Sequence, residues 1–298
     1  MKLPSARTQR ALFALAGLGA AALLARHTDL RALRAIGPWF AAVVALEGTR
    51  ILLELQASRA LYGDDAAVPF ARLLRVQAAG YAMAMALPAG RTAAEAAKAV
   101  VLAGSLGAAR AASAGAALQG ATLLGVAAMS VPCGLAARAL GAHGVATALA
   151  VQSVALGAAG VALLVALRSA RAAAWLRRGW PSAPTPAHLD TATLVRACAW
   201  MTAHRAVPAL ECALLLAVSG CPGALRALGL QGAAMLGATA GDAVPGQLGA
   251  LGGAMALAAP HLGVPTGTAL ATAAALHGAQ LVWVLVGAAC AWTERRAG

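Results

Sequence analysis

Residues 111–137 and 243–293 contain no Asp, Glu, Lys or Arg. About 20 apolar residues in a helix span the roughly 30 Å of a bilayer's hydrocarbon, so each run holds at least one crossing. Only 11% of the 298 residues are charged and 61% are hydrophobic, where a soluble domain carries about a quarter charged residues. The chain therefore reads as an all-α polytopic membrane protein. Aromatic residues make up only 4%, leaving helices rich in Ala, Leu, Gly and Val whose backbones approach closely through small side chains.

Full crossings are expected at 11–25, 36–57, 111–131, 145–167, 194–218 and 267–291. The first is short and borrows flanking residues by snorkelling or local thinning of the bilayer. Two other apolar stretches are interrupted. Residues 73–106 break at Pro88-Ala89-Gly90 and residues 230–259 at Val244-Pro245-Gly246. Each half holds about 14 residues, too few to cross alone at 1.5 Å per residue. Such a stretch is either a kinked crossing or a re-entrant helical hairpin.

Charge placement favours two hairpins. With the N-terminus cytoplasmic and both breaks re-entrant, 13 basic residues, from Lys2 to Arg296, fall on the cytoplasmic side. Five fall outside, namely Arg26, Arg31, Arg34, Arg138 and Arg226. Basic residues are retained inside, as the bias of cytoplasmic loops requires. The fold expected is six full spans plus two re-entrant helical hairpins in two inverted repeats, residues 1–137 and 138–298. Each repeat crosses three times, so the second enters upside down, an arrangement found in transporters with midplane sites. Pro88 and Pro245 lie 157 positions apart, as do Glu54 and Glu211. The basic, Trp-bearing segment 168–193 reads as a cytoplasmic linker on an anionic leaflet.

The net charge of +13 belongs to loop arginines that set topology, and no nucleic-acid partner is expected. Five cysteines without a CxxC pair read as small buried hydrophobes. The basic N-terminus followed by residues 11–25 mimics a signal peptide, and an uncleaved first span is expected.

Ionisable groups in hydrocarbon must face protein or water and take a partner. Glu47, Arg50 and Glu54 share one helical face, serving either as a self-neutralised ladder or as part of a gated cavity. After the first break come Arg91, Glu95 and Lys98, also on one face. A helix restarting near Thr92, with Thr92 as its cap, aims its positive end at the break and with Arg91 makes an anion site. The alternative is an interfacial turn with snorkelling Arg and Lys. His204, Arg205 and Glu211 occupy the span at 194–218, Asp242 precedes the second break, and His277 lies in the last span. The second break has no cation; Gly249 and Gly253 there read as a GxxxG packing pair. His204 and Glu211 lack a third convergent ligand, so a proton relay or a core histidine is expected and no metal. Only five aspartates occur, and none form the paired acidic motifs with which membrane prenyl- or phospho-transferases hold Mg²⁺, which argues against a lipid-modifying enzyme. No nucleophilic triad is suggested. The expectation is a non-enzyme without cofactors.

Around the breaks the sequence resembles the flippase-like family that includes the membrane region of lysylphosphatidylglycerol synthases. The residues are Pro88-Ala-Gly-Arg91-Thr-Ala-Ala-Glu95-Ala-Ala-Lys98, then Pro245-Gly246-Gln-Leu-Gly249 and Leu-Gly-Val-Pro at 262–265. Gly252 stands where the second family motif has Glu, and Gln247 where it has Gly, so a mechanism needing that acid is not implied here. Members are often fused to an aminoacyl-transfer domain, which residues 1–298 do not include. The resemblance implies lipid translocation without lipid synthesis.

These readings converge on a flippase for an anionic or polyprenyl-linked lipid in the bacterial cytoplasmic membrane, with both termini cytoplasmic and access alternating between the two sides. Arg91, Lys98, Arg50 and Arg205 are expected to hold the headgroup. Glu54, Glu95, Glu211, Asp242 and His204 balance charge or carry protons, and Pro88, Gly90, Pro245 and Gly246 make the breaks. A non-transporting subunit that organises a lipid or cell-envelope biosynthesis enzyme through 168–193, and a small-solute exporter, are the alternatives.

Overall fold

The computed structural model describes residues 26–63, 68–87, 89–169, 189–241 and 249–297, with backbone alone from 294 onward. Among the described residues every regular element is helical. In chain order these are α1 (Leu30–Ile36), α2 (Phe40–Tyr62), α3 (Phe70–Ala86), α4 (Gly90–Leu106) and α5 (Ala108–Ala139), then α6 (His143–Arg168), α7 (Thr191–Val218), α8 (Ala224–Ala240), α9 (Ala250–Ala258) and α10 (Thr266–Ala297).

Five helical stretches are long and apolar enough to span: Leu30–Tyr62, Ala108–Ala139, His143–Arg168, Thr191–Val218 and Thr266–Thr293. They correspond to the crossings expected at 36–57, 111–131, 145–167, 194–218 and 267–291, while the one at 11–25 lies outside the described residues. The sequence reading ends one crossing at Val131, but α5 runs through Pro132 to Ala139. A proline inside a helix removes one backbone hydrogen bond. Ending the helix within apolar surroundings would strand several, so continuation is the lower-cost course.

Local chemistry sets the helix starts. Asp29 caps α1, accepting from the Arg31 amide at 2.8 Å, and its own amide donates to the Gly267 carbonyl near the start of α10. Asp190 caps α7, accepting from the Thr193 amide and hydroxyl, both at 2.8 Å. Those donations, the backbone amide first, hold the Asp190 carboxyl below its usual range.

The interrupted stretch at 73–106 folds back on itself. Helices α3 and α4 have 17 residues each, about 26 Å at 1.5 Å per residue, and they lie side by side. Arg72 donates to the Ser105 hydroxyl at 3.0 Å near the open end, and Lys98 reaches Gln77 at 3.0 Å in the middle. At the tip Ala89 adopts left-handed backbone with φ 48°. A side chain on Gly90 would strike the Ala84 carbonyl and stand 2.8 Å from the Met83 carbonyl oxygen. The helix therefore restarts at Gly90 and not near Thr92, and Thr92 is exposed and makes no cap. The left-handed turn brings the two backbones together before Thr92 is reached.

Helices α8 and α9 also fold back, with Gly237 of α8 packed against Ala250 and Ala254. The expected GxxxG pair does not form this contact. Gly249 is the left-handed residue that starts α9, and a side chain on Gly253 would meet nothing within 4 Å. Tight approach comes from Gly237 on the facing helix.

Packing partners recur across the chain. Helix α3 lies along α10 and α8 along α5; α4 packs on α5 and α9 on α10; α5 meets α7 and α10 meets α2; α2 and α7 pack against each other. The last helix is seated by Trp283, whose indole donates to the Val44 carbonyl at 2.8 Å. Its ring occupies the space that a side chain on Gly48 would need.

Because Gly90 leaves no room for a side chain, Gly90→Val should destabilise the fold by about 1–3 kcal/mol through overpacking. The expected result is a lower midpoint of thermal unfolding in detergent, whereas Gly104→Val, at a position with open space around it, should leave the midpoint within experimental scatter.

Candidate functional site

The α3–α4 hairpin meets α2 and α7 around a cluster of buried charges. On α2 the carboxylate of Glu47 accepts twice from Arg50, at 2.6 and 2.8 Å, and once from the Tyr81 hydroxyl of α3 at 2.5 Å. The expected three-residue ladder does not continue to Glu54. That carboxylate turns to other helices, accepting from Gln77 at 2.8 Å, with Lys98 at 3.5 Å and His204 Nε2 at 3.6 Å.

Lys98 is the hub. Its ammonium pairs with Glu95 one turn earlier on α4 at 2.5 Å, donates to Gln77 of α3 and faces Glu54 of α2. Three donors thus meet three acceptors on three helices, the arrangement a buried ion needs to offset desolvation. Its aliphatic stem lies over Gly80, where a side chain would stand 3.0 Å from the Lys98 chain.

Helix α7 supplies His204, Arg205 and Glu211. His204 is buried, with Nε2 toward Glu54. Pro208, one turn on, has no amide hydrogen and leaves the His204 carbonyl without its helical donor. Glu211 is 1% exposed and lies against Glu47, Arg50 and Tyr81. On α10, His277 pairs through Nδ1 with Gln280 at 3.1 Å and sits within electrostatic reach of Glu47.

The structure divides the four expected headgroup cations into two pairs. Arg50 and Lys98 are engaged by Glu47, Glu95 and Glu54. Arg91, at the start of α4, and Arg205, on α7, are half-buried within electrostatic reach of each other and of Glu54. Among the described residues neither makes a hydrogen bond or ion pair, and Arg205 Nε is shielded without an acceptor. Two guanidiniums in that state offer planar, bidentate donors to a tetrahedral or planar anion.

Next to this cluster, between α2, α3 and α7, lies a cavity of about 410 Å³ lined in part by Gln56, Arg59, Tyr62, Arg196 and Trp200. The Arg59 guanidinium stands 5.6 Å from the centre of the Phe70 ring, within cation–π range.

Pro88, Asp242, Pro245 and Gly246 lie outside the described residues, so the structure brings together Arg50, Glu54, Arg91, Glu95, Lys98, His204, Arg205 and Glu211 of the expected set. Sequence reasoning missed Gln77 and Tyr81. Their signal was available: they are polar residues four apart within the apolar run of α3, hence on one helical face.

Helices of spanning length with a charged cluster enclosed among them define a multi-pass α-helical membrane protein. The chain matches the family described as the lysylphosphatidylglycerol synthase TM region over residues 11–288 and belongs to it. No curated protein and no solved structure matches the chain.

Removing the hub should be costly. Lys98→Met leaves Glu95 and Glu54 buried without their cation, and loss of one partner from a buried pair costs about 3–5 kcal/mol. The expected outcome is a sharply lower thermal midpoint in detergent, partly recovered in the Lys98→Met/Glu95→Gln double variant.

Proposed function

We propose that this protein is a transporter and not an enzyme, moving a lipid with an anionic or polyprenyl-linked phosphate headgroup across the bacterial cytoplasmic membrane. The observation that carries this reading is the pair of uncommitted guanidiniums, Arg91 and Arg205, inside a charge cluster whose other cations are already engaged. Glu54, the acid within reach of both, is already shared among Gln77, Lys98 and His204; an enclosed arginine without an ion pair is expensive, and a headgroup phosphate or carboxylate supplies one.

The arrangement of the helices supports alternating exposure of that site. The packing partners exchange when the chain is shifted by half its length: α3 on α10 becomes α8 on α5, and α4 on α5 becomes α9 on α10. The folded-back pairs α3–α4 and α8–α9 are then re-entrant hairpins inserted from opposite faces, and residues 1–137 and 138–298 are inverted repeats. Both termini lie in the cytoplasm in this topology. The cavity bearing Arg59 and Arg196 then opens toward the cytoplasmic leaflet, where basic side chains draw anionic headgroups. Membership in a family named for a lipid synthase's membrane region agrees with a lipid as cargo.

In this scheme Arg91 and Arg205 clamp the headgroup, Arg50 and Lys98 keep the surrounding carboxylates neutralised, and the acyl chains remain in the bilayer. Charged hydrogen bonds are worth about 1.5–3 kcal/mol each. Arg91→Ala and Arg205→Ala should each slow translocation of a fluorescent phosphatidylglycerol by about tenfold or more in reconstituted vesicles. Arg138→Ala, an exposed control, should not. Unchanged rates in both site variants would remove the headgroup clamp.

A further inference from the structure

Glu211 is the one carboxyl of the described cluster with no donor of its own. Both of its oxygens are shielded from solvent and unpartnered. It lies in contact with the Glu47 carboxylate, which accepts two hydrogen bonds from Arg50 and one from Tyr81 and keeps one acceptor site free. Two ionised carboxylates present only acceptors to one another, so a bond between them requires a proton on one.

The cation beside them is shared. Arg50 uses Nη1 for Glu47, while its Nε is buried without an acceptor, and Glu211 lies within its electrostatic reach. The groups that face Glu211 are therefore Glu47 and Arg50 from α2 and Tyr81 from α3. Cys212 is its neighbour on α7, and His277 of α10 stands behind Glu47. Register adds a second observation. Glu47 and His204 are 157 positions apart, like Glu54 and Glu211. The contact of Glu54 with His204 thus has the Glu211–Glu47 contact as its counterpart when the two halves are exchanged. In one, an acid meets a base; in the other, an acid meets an acid, and a proton must stand in for the base.

We propose that Glu47, Glu211 and Arg50 form a proton-carrying switch, in which Arg50 pairs with one carboxylate while the other carboxyl holds a proton. In the state described here Arg50 pairs with Glu47 and the proton resides on Glu211. In the alternate state the O–H bond of Glu211 breaks, the proton passes to Glu47, and Arg50 turns to the Glu211 carboxylate. Each state carries one guanidinium, one carboxylate and one neutral acid, so the exchange leaves the net charge of the interior unchanged. Nothing is oxidised or reduced. This deepens the transport reading by naming a proton as the coupled ion, taken up on Glu211 from water on one side of the membrane and given up from Glu47 to water on the other, and it rests on that reading only for the coupling.

Two measurements on the full chain test it. Infrared difference spectra of the purified protein across a pH titration should contain a protonated-carboxyl C=O band that disappears in Glu211→Gln, with helicity by circular dichroism unchanged. In vesicles, an imposed pH gradient should change the wild-type translocation rate of fluorescent phosphatidylglycerol several-fold, and Glu211→Gln should not respond to it. Glu47→Gln, which leaves Arg50 free to pair with Glu211, should lose the same band while staying folded. Persistence of the band in Glu211→Gln overturns the proton assignment. A wild-type rate indifferent to the gradient, or a Glu211→Gln rate that responds as wild type does, overturns the coupling. If wild type moves no lipid but the band behaves as described, the proton site stands and the lipid-transport reading falls.

Discussion

A charge inside a bundle of apolar helices is tolerated only where other groups replace the water it has lost. Lys98 is where that requirement binds this structure together. Its ammonium draws Glu95 from its own helix, Gln77 from α3 and Glu54 from α2, so three elements hold their relative positions to keep one ion satisfied. Glu54 in turn orients His204 on α7. The folded-back α3–α4 pair, and not any single crossing, brings these partners into range, and the fold-back itself depends on Gly90 lying against the carbonyls of Met83 and Ala84.

Small residues make such a compact polar interior possible. With few aromatic side chains to space the helices, backbones approach through glycine, and larger side chains fit into the gaps that glycine leaves. Trp283 is the clearest case: its ring lies on Gly48, one residue from Glu47, and its indole is satisfied by a backbone carbonyl of the same helix. The seating of the last helix and the floor of the charge cluster are therefore one contact region.

The cluster contains two kinds of cation. Arg50 and Lys98 are each engaged by carboxylates that would otherwise be costly to bury. Arg91 and Arg205 make no such pair among the described residues. Sequence reasoning grouped all four as headgroup ligands because each is a basic residue within an apolar segment. Distances on one helix were legible: Arg50 does pair with Glu47 three residues away, and Lys98 with Glu95. Which carboxylate a long side chain chooses across helices was not, since that depends on the depth and rotation of neighbouring elements. The same limit explains Gln77 and Tyr81, whose polarity was visible but whose partners lie on other helices.

The sequence by itself determined the class of protein and the positions of five spanning helices. Uncharged runs of sufficient length admit only spanning helices, and Pro-Ala-Gly in mid-run requires a break. Membership in the lysylphosphatidylglycerol synthase TM region family was also legible in the motifs around Gly90 and Pro245. Tertiary structure alone decided that α4 begins at Gly90, that Gly237 and not Gly253 makes the tight contact of α8 with α9, and which arginines are uncommitted. The physical reason is that apolar periodicity and charge placement act along the chain, whereas ion pairing and close packing are contests among helices that meet only once the bundle has formed.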